Sequence, residues 1–157
     1  MARYSLIPHP DSPSVAVNAI QVDASREGGA LELTFAVEGD LSRVAWPEPE
    51  EFGRRNELWK RTCFEAFVQP DGAQAYTELN FSPSGLWAAY SFDSRRTGMR
   101  DFEPAVGEVS GGLMVKGTRT SHATLRFWTC DVLGNSGWRL GLTVVVEATD
   151  GTKSYWA

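Results

Sequence analysis

The chain has 157 residues, with 15 Lys and Arg against 20 Asp and Glu, a net charge of −5 and 42% hydrophobic residues. That length supports one self-sufficient core without disulfides or metal, and the acidic balance offers no clustered basic surface for nucleic acid or an anionic membrane. Residues 1–10 lack the apolar run of a secretory signal, and no segment approaches the ~20 apolar residues of a membrane span, so the expected location is the cytoplasm.

Period-two alternation broken by turn residues recurs along the chain, and no 3.6-residue stripe of helical length appears. The pattern predicts an all-β protein, an antiparallel β-sandwich or barrel of about nine or ten strands, forming a single domain over residues 1–157. An opening hairpin is expected from Val15–Val22 and Leu31–Val37, around the polar turn Ser25-Arg26-Glu27-Gly28-Gly29. Pro47, Pro49 and the charges of Trp46–Glu57 then favour a surface loop with at most one helical turn.

Strands Thr62–Gln69, Ala75–Ser82 and Leu86–Asp93 follow as a meander, joined by Pro70-Asp71-Gly72 and Ser82-Pro83-Ser84-Gly85. After the polar stretch Ser94–Pro104, weaker strands are expected at Ala105–Val109 and Leu113–Thr118. His122–Trp128 and Trp138–Glu147 close the pattern. Cys63 and Cys130 are the only cysteines, without metal-ligand or redox spacing, so reduced, partly buried thiols and no metal or other cofactor are expected.

Residues two apart on a strand share a face. Thr62, Phe64, Ala66 and Val68 form a core face, leaving Cys63, Glu65, Phe67 and Gln69 opposite; Thr77, Leu79 and Phe81 leave Tyr76, Glu78, Asn80 and Ser82. The third strand is apolar on both sides, with Leu86, Ala88, Tyr90 and Phe92 opposing Trp87, Ala89, Ser91 and Asp93. In simple antiparallel register, Glu65, Glu78 and Asn80 therefore gather on one non-core face. Two neighbouring carboxylates repel unless bridged; Arg61, Arg95, Arg96 or Arg126 would neutralise them, and sugar hydroxyls would use the remaining lone pairs.

Six Trp residues, with Tyr90 and Tyr155, provide flat apolar platforms with polar edges. Most belong to a core; Trp59, beside the charged loop, and Trp156, near the end of the sequence, are the ligand candidates. Competing readings are a solvated face whose carboxylates pair with arginine, a glycosidase pair separated by about 5–5.5 or about 6.5–9.5 Å, and haem ligation by two of His9, His122, Met99 and Met114. With two His and no Gly-x-Ser-x-Gly elbow, a serine hydrolase is disfavoured, and the balance leans away from an enzyme.

The run Leu-Trp-x-x-Thr-Cys-Phe-Glu-x-Phe over Leu58–Phe67, with Tyr-x-Glu-Leu-Asn-Phe-Ser-Pro-Ser-Gly-x-Trp-Ala-Ala-Tyr over Tyr76–Tyr90, resembles the bacterial DOMON-like proteins related to family 9 carbohydrate-binding modules. Ser154-Tyr155-Trp156-Ala157 echoes them more weakly. The resemblance implies a jelly-roll-like β-sandwich that binds sugars in some relatives and haem in others, and it points to Trp59, Glu65, Glu78, Asn80 and Trp87 as contacts. Relatives continue past Tyr-Trp-Ala into a His/Pro/Asp-containing stretch, so a closing strand and part of the site are expected to be absent or supplied otherwise. Sugar-binding relatives are also usually exported and attached to enzymes.

Together these observations predict non-catalytic binding of a small saccharide or similar polyhydroxylated ligand on a concave sheet face. Glu65, Glu78, Asn80 and Arg95 would take the hydroxyls, and Trp59, with Trp87, would stack. The alternative is a protein-interaction or assembly module, including a homodimer, built on an exposed aromatic patch.

Overall fold

The computed structural model describes residues 1–27, 29–103, 120–128 and 137–157. Its strands are β1 (Ala2–Leu6), β2 (Val17–Glu27), β3 (Ala30–Gly39), β4 (Gly53–Arg54), β5 (Cys63–Pro70), β6 (Tyr76–Phe81), β7 (Leu86–Phe92), β8 (Arg100–Asp101), β9 (Thr120–Trp128), β10 (Trp138–Glu147) and β11 (Lys153–Trp156). One sheet has the order β1-β2-β3-β9; the other runs β11-β10-β5-β6-β7-β4, with β8 beside β7. All pairings are antiparallel except β4 with β7. The result is a β-sandwich, and no helix among the described residues is long and apolar enough to cross a membrane.

Alternation decides what lies between the sheets. Ile20 and Val22 on β2 and Leu33, Phe35 and Val37 on β3 share one buried cluster with Phe64, Ala66 and Val68 on β5, Leu79 and Phe81 on β6, and Val144 and Val146 on β10. The rings of Phe35 and Phe64 meet across the sandwich at 5.0 Å and 41°. Between sheets of this kind, roughly 10 Å apart, side chains from the two inner faces must interdigitate, and these two rings do so near the centre.

The meander and the span Trp138–Glu147 fall where alternation places them, and the opening hairpin forms, but Ser25, Arg26 and Glu27, expected in its turn, continue β2 and pair with Glu32, Leu31 and Ala30. Four elements were not expected. In β1 only Leu6 is buried, so this edge strand carries no alternation to read. The four-residue β11 and the two-residue β4 and β8 are too short for a pattern. The expected strands at 105–109 and 113–118 lie outside the described residues. The predicted loop contains β4, and single 3-10 turns at Leu41–Arg43 and Leu58–Lys60 flank it.

The N-terminal segment covers the outer edge of β11. Ile7 N–H donates to Ala157 O at 2.8 Å, Ala157 N–H to Ile7 O at 3.1 Å, and His9 N–H to Tyr155 O at 2.7 Å. Residues 7–9 thus supply strand-like pairing where the resemblance left a closing strand open, and they leave β11 no free edge there.

The phase of β5 is directly testable by paired truncations. Phe64→Ala should cost about 3–5 kcal/mol in urea unfolding, the range for a buried Phe, and Phe67→Ala, on the half-buried opposite side, no more than about half of that. Equal costs would contradict the assigned faces.

Candidate functional site

Core packing of Phe64, Ala66 and Val68 turns Cys63, Glu65, Phe67 and Gln69 to the outer face of the larger sheet. Register then aligns rows across neighbouring strands. Thr143, Glu65, Asn80 and Ala88 make one row, and Gly141, Phe67, Glu78 and Tyr90 the next, with Asp101 beyond Tyr90. Gly141 lies directly opposite Phe67: a Cβ on it would stand 3.4 Å from Phe67 Cβ and 3.7 Å from the ring, at ordinary contact distance.

Each carboxylate is held by a neutral neighbour. Thr143 Oγ1 donates to Glu65 Oε2, and Asn80 Nδ2 donates to Glu78 Oε1 at 2.9 Å. Among the described residues neither carboxylate has a Lys or Arg within ion-pair distance. Burial raises the pKa of both: for Glu65 the Thr143 hydrogen bond opposes the shift and the Glu78 charge adds to it, and for Glu78 the Asn80 hydrogen bond opposes it. Asn80 Oδ1 is buried without a hydrogen-bond partner. Glu65 is Asn80's direct cross-strand neighbour, and a protonated Glu65 would carry the donor that this pair lacks.

The turn Leu58–Lys60 lies over β5, β6 and β7. Glu57 precedes it in the left-handed region at φ 66°. Leu58 joins Cys63, Leu86, Ala88, Tyr90 and Phe92 in a second, smaller apolar cluster against which Trp59 packs. Trp59 meets the Tyr90 ring edge-on at 5.7 Å and 69°. The Tyr90 hydroxyl donates to Asn56 Oδ1 at 3.1 Å and accepts from Glu57 N–H at 3.3 Å, which ties the strand to the turn. Cys63 is a free thiol at 0% exposure, its pKa pushed well up by burial first and by the Glu65 charge second; it is structural.

Two hollows flank Phe67. One, of about 420 Å³, is lined by Pro8, His9, Glu65, Phe67, Thr143 and Tyr155, among others. The other, of about 440 Å³, includes Phe67, Gln69, Tyr76, Arg95, Arg139 and Gly141 in its wall. Both volumes suit a small ligand.

Of the residues expected to form a site, Trp59, Glu65, Glu78 and Asn80 thus come together on the outer face. Asn80 is at 0% exposure, so it positions Glu78 and does not itself reach a ligand. Arg95 stands at the second hollow and not beside the carboxylates. Trp87 is excluded from this face. Its register opposite Phe81 sends it into the sandwich core, where the Arg54 guanidinium lies 5.6 Å from its ring. Trp156 is also a core residue, its indole N–H donating to Ser154 Oγ at 3.1 Å.

The other expected arginine partners are placed elsewhere. Arg61 approaches Glu147 at 3.8 Å, and the backbone of Arg126 lies opposite Glu32 in the smaller sheet. Met114 and Cys130 lie outside the described residues. His9 adjoins β11 and Met99 follows β7, so the sheet's width, roughly 20 Å at ~4.8 Å per strand, separates them and rules out a shared iron. Phe67, expected on the face of Glu65, and Tyr155, expected as an aromatic platform, both line the first hollow; Thr143 was not expected there, because the alternation of β10 shows that Thr143 and Gly141 share a face, but only the β5–β10 pairing brings that face to Glu65.

The chain matches no protein-family model and no curated protein. Its fold is similar to the crystal structure of a candidate carbohydrate-binding protein from Bacteroides uniformis, with a TM-score of 0.69 and 14% sequence identity, covering 99% of this chain and 76% of the other. At that identity the similarity is one of fold.

The raised carboxyl pKa values give a signed pH dependence. A folded-state pKa above the unfolded value makes the native state the better proton binder, so this contribution to stability is full below the ordinary Glu pKa and is lost as pH rises through the folded value. Glu65→Gln and Glu78→Gln, which keep an acceptor for Thr143 and Asn80, should therefore gain stability relative to the parent on going from about pH 4 to about pH 7. Urea midpoints at the two pH values measure this; an unchanged or opposite difference would mean the carboxylates are not desolvated.

Proposed function

We propose that the outer face of the larger sheet binds a small saccharide or a similar polyhydroxylated ligand without catalysing its reaction. The observation that carries this reading is the pair Glu65 and Glu78, gathered beside aromatic rings with neutral hydrogen-bond partners and, among the described residues, no Lys or Arg within ion-pair distance, Arg54 lying over the Tyr90 ring at 5.7 Å. A carboxylate has roughly four lone-pair sites, and its present partners leave acceptor capacity for hydroxyl donors. Trp59, half-buried on its turn, offers an apolar face of the kind that packs on sugar C–H groups.

Binding is favoured over glycoside cleavage by the state of Glu65. At 9% exposure and bonded to Thr143, it is poorly placed to flank a scissile bond as acid or nucleophile. The resemblance of Leu58–Phe67 and Tyr76–Tyr90 to DOMON-like proteins related to family 9 carbohydrate-binding modules supports the same reading, as does the carbohydrate-binding description of the Bacteroides uniformis protein.

Ile7 and Tyr155 favour a second reading. They are 72% and 50% exposed beside the first hollow, an apolar rim that suits a partner chain, including a second copy of this one.

The test is a titration of the purified protein with neutral mono- and disaccharides, followed by tryptophan fluorescence and calorimetry. At least one sugar should bind. Glu78→Gln should weaken it about tenfold, equivalent to ~1.4 kcal/mol, and Trp59→Ala should weaken it and reduce the fluorescence response. Trp87→Ala should lower stability and leave affinity nearly unchanged in the fraction that folds. No response to any sugar, together with a stable dimer by light scattering, would replace this reading with the assembly one; a Soret band would replace it with haem binding.

A further inference from the structure

The hollow on the far side of Phe67 differs in charge from the carboxylate pair. Arg95, from the loop after β7, and Arg139, on β10, both line it. Arg3, Arg54, Arg55, Arg61 and Arg100 each have a carboxylate within 4.0 Å, whereas among the described residues Arg95 and Arg139 have none. On a chain of net charge −5, two arginines lining one cavity without a carboxylate partner among the described residues favour a carboxylate ligand, which arginine can bind through paired hydrogen bonds.

The remaining wall suits a ring. Phe67 and Tyr76 stand 6.3 Å apart at 51°, and Tyr76 is stacked on Phe92 at 4.6 Å and 4°. This aromatic wall is braced from behind. Gln69 lies directly opposite Arg139, and its Nε2 is committed to Gln74 O at 3.3 Å, so the carbonyl end of that amide remains to accept from a hydroxyl. Tyr76 lines this hollow, and Glu78, which lines neither hollow, projects from β6 on the same side roughly 7 Å along the strand, so a sugar that extends past Tyr76 would reach Glu78. Glu65 and Glu78 would repel an acid placed on them, and Arg95 and Arg139 would attract it, which gives a bound acidic sugar one preferred orientation.

We propose that this hollow is the acid-recognition part of the site, and that its ligand is a uronic acid: a sugar ring against Phe67 and Tyr76, hydroxyls toward Glu78 and Gln69, and the carboxylate on Arg95 and Arg139. The proposal rests on the saccharide reading for the ring and on this hollow alone for the acid.

The experiment compares glucuronate and galacturonate with glucose, galactose and the two uronate methyl esters, by calorimetry at low salt on the intact chain. The uronates should bind about tenfold or more tighter than the neutral sugars and esters, and added salt should erode the difference. Arg95→Gln with Arg139→Gln should abolish the preference of acid over ester, and the urea midpoint should stay unchanged because both side chains are exposed. A double Lys variant should retain part of it. Equal binding of acids and esters, or a preference that survives the double Gln variant, would overturn the acid assignment and leave the saccharide reading standing. Arginine-dependent binding of acetate or benzoate as tight as that of a uronate would overturn the sugar-ring assignment. Absence of binding by every compound would overturn both.

Discussion

The phase of β5 governs the rest of the molecule. Phe64, Ala66 and Val68 are between 0% and 1% exposed, and Phe64 meets Phe35 of the opposite sheet. A slip of one residue would move that whole set to the outer face and drive Glu65 into the sandwich core, exchanging apolar burial for a charged group with no partner there. β5 also lies between β10 and β6, so its phase is imposed on Thr143 from one side and on Glu78 and Asn80 from the other. The constellation on the outer face is a by-product of how tightly the inner face is packed.

That outer face has a small core of its own. Cys63, Asn80 and Ala88 are all at 0% exposure, and Leu58 and Trp59 arrive from a single 3-10 turn whose position is held by the Tyr90 hydroxyl. Glu65 sits where this second core gives way to the first hollow, and Glu78 lies one strand further in, beside Tyr90. An ionised carboxylate taken out of water without a cation is costly, and the neutral hydrogen bonds from Thr143 and Asn80 offset only part of that cost, since burial remains the largest cause of both pKa shifts. The missing interaction can come from a proton, as the unpartnered Asn80 Oδ1 opposite Glu65 suggests, or from donors on a bound molecule. If the proposed ligand supplies those donors, its binding is coupled to pH through the same two groups.

How far this was legible in the sequence depended on whether one face of a strand was polar. β5 and β6 alternate cleanly, so Glu65, Glu78 and Asn80 could be assigned to one face. In β7 every residue from Leu86 to Tyr90 is buried, because one side enters the sandwich and the other lies beneath the turn; period two then carries no phase, and Trp87 could not be assigned. The depth of Asn80 was hidden for a related reason, since the turn Leu58–Lys60 that packs on β6 follows a segment whose prolines and charges predict a surface loop, and nothing local says that it folds back over the sheet. Trp156 looked available because it stands near the end of the sequence, but its alternation with Tyr155 and the pairing of β11 with β10 send it inward. Thr143 and the hollows depend on pairing between strands some seventy residues apart, and local pattern is silent about such contacts.

The two ends of the face also differ in how firmly they are built. Glu78 is fixed by Asn80, Glu65 by Thr143, and Tyr90 by two hydrogen bonds; all three stand on strands, so a ligand that meets them orders little that is not already ordered. Arg95 and Arg139 are exposed and, among the described residues, unpaired, and each must give up side-chain freedom to hold a ligand. Their long-range field acts before contact, where precise geometry is not needed. Under the proposed reading the carboxylate end would discriminate among hydroxyl arrangements and the arginine end would capture and orient an acid, with Phe67 as the wall between them.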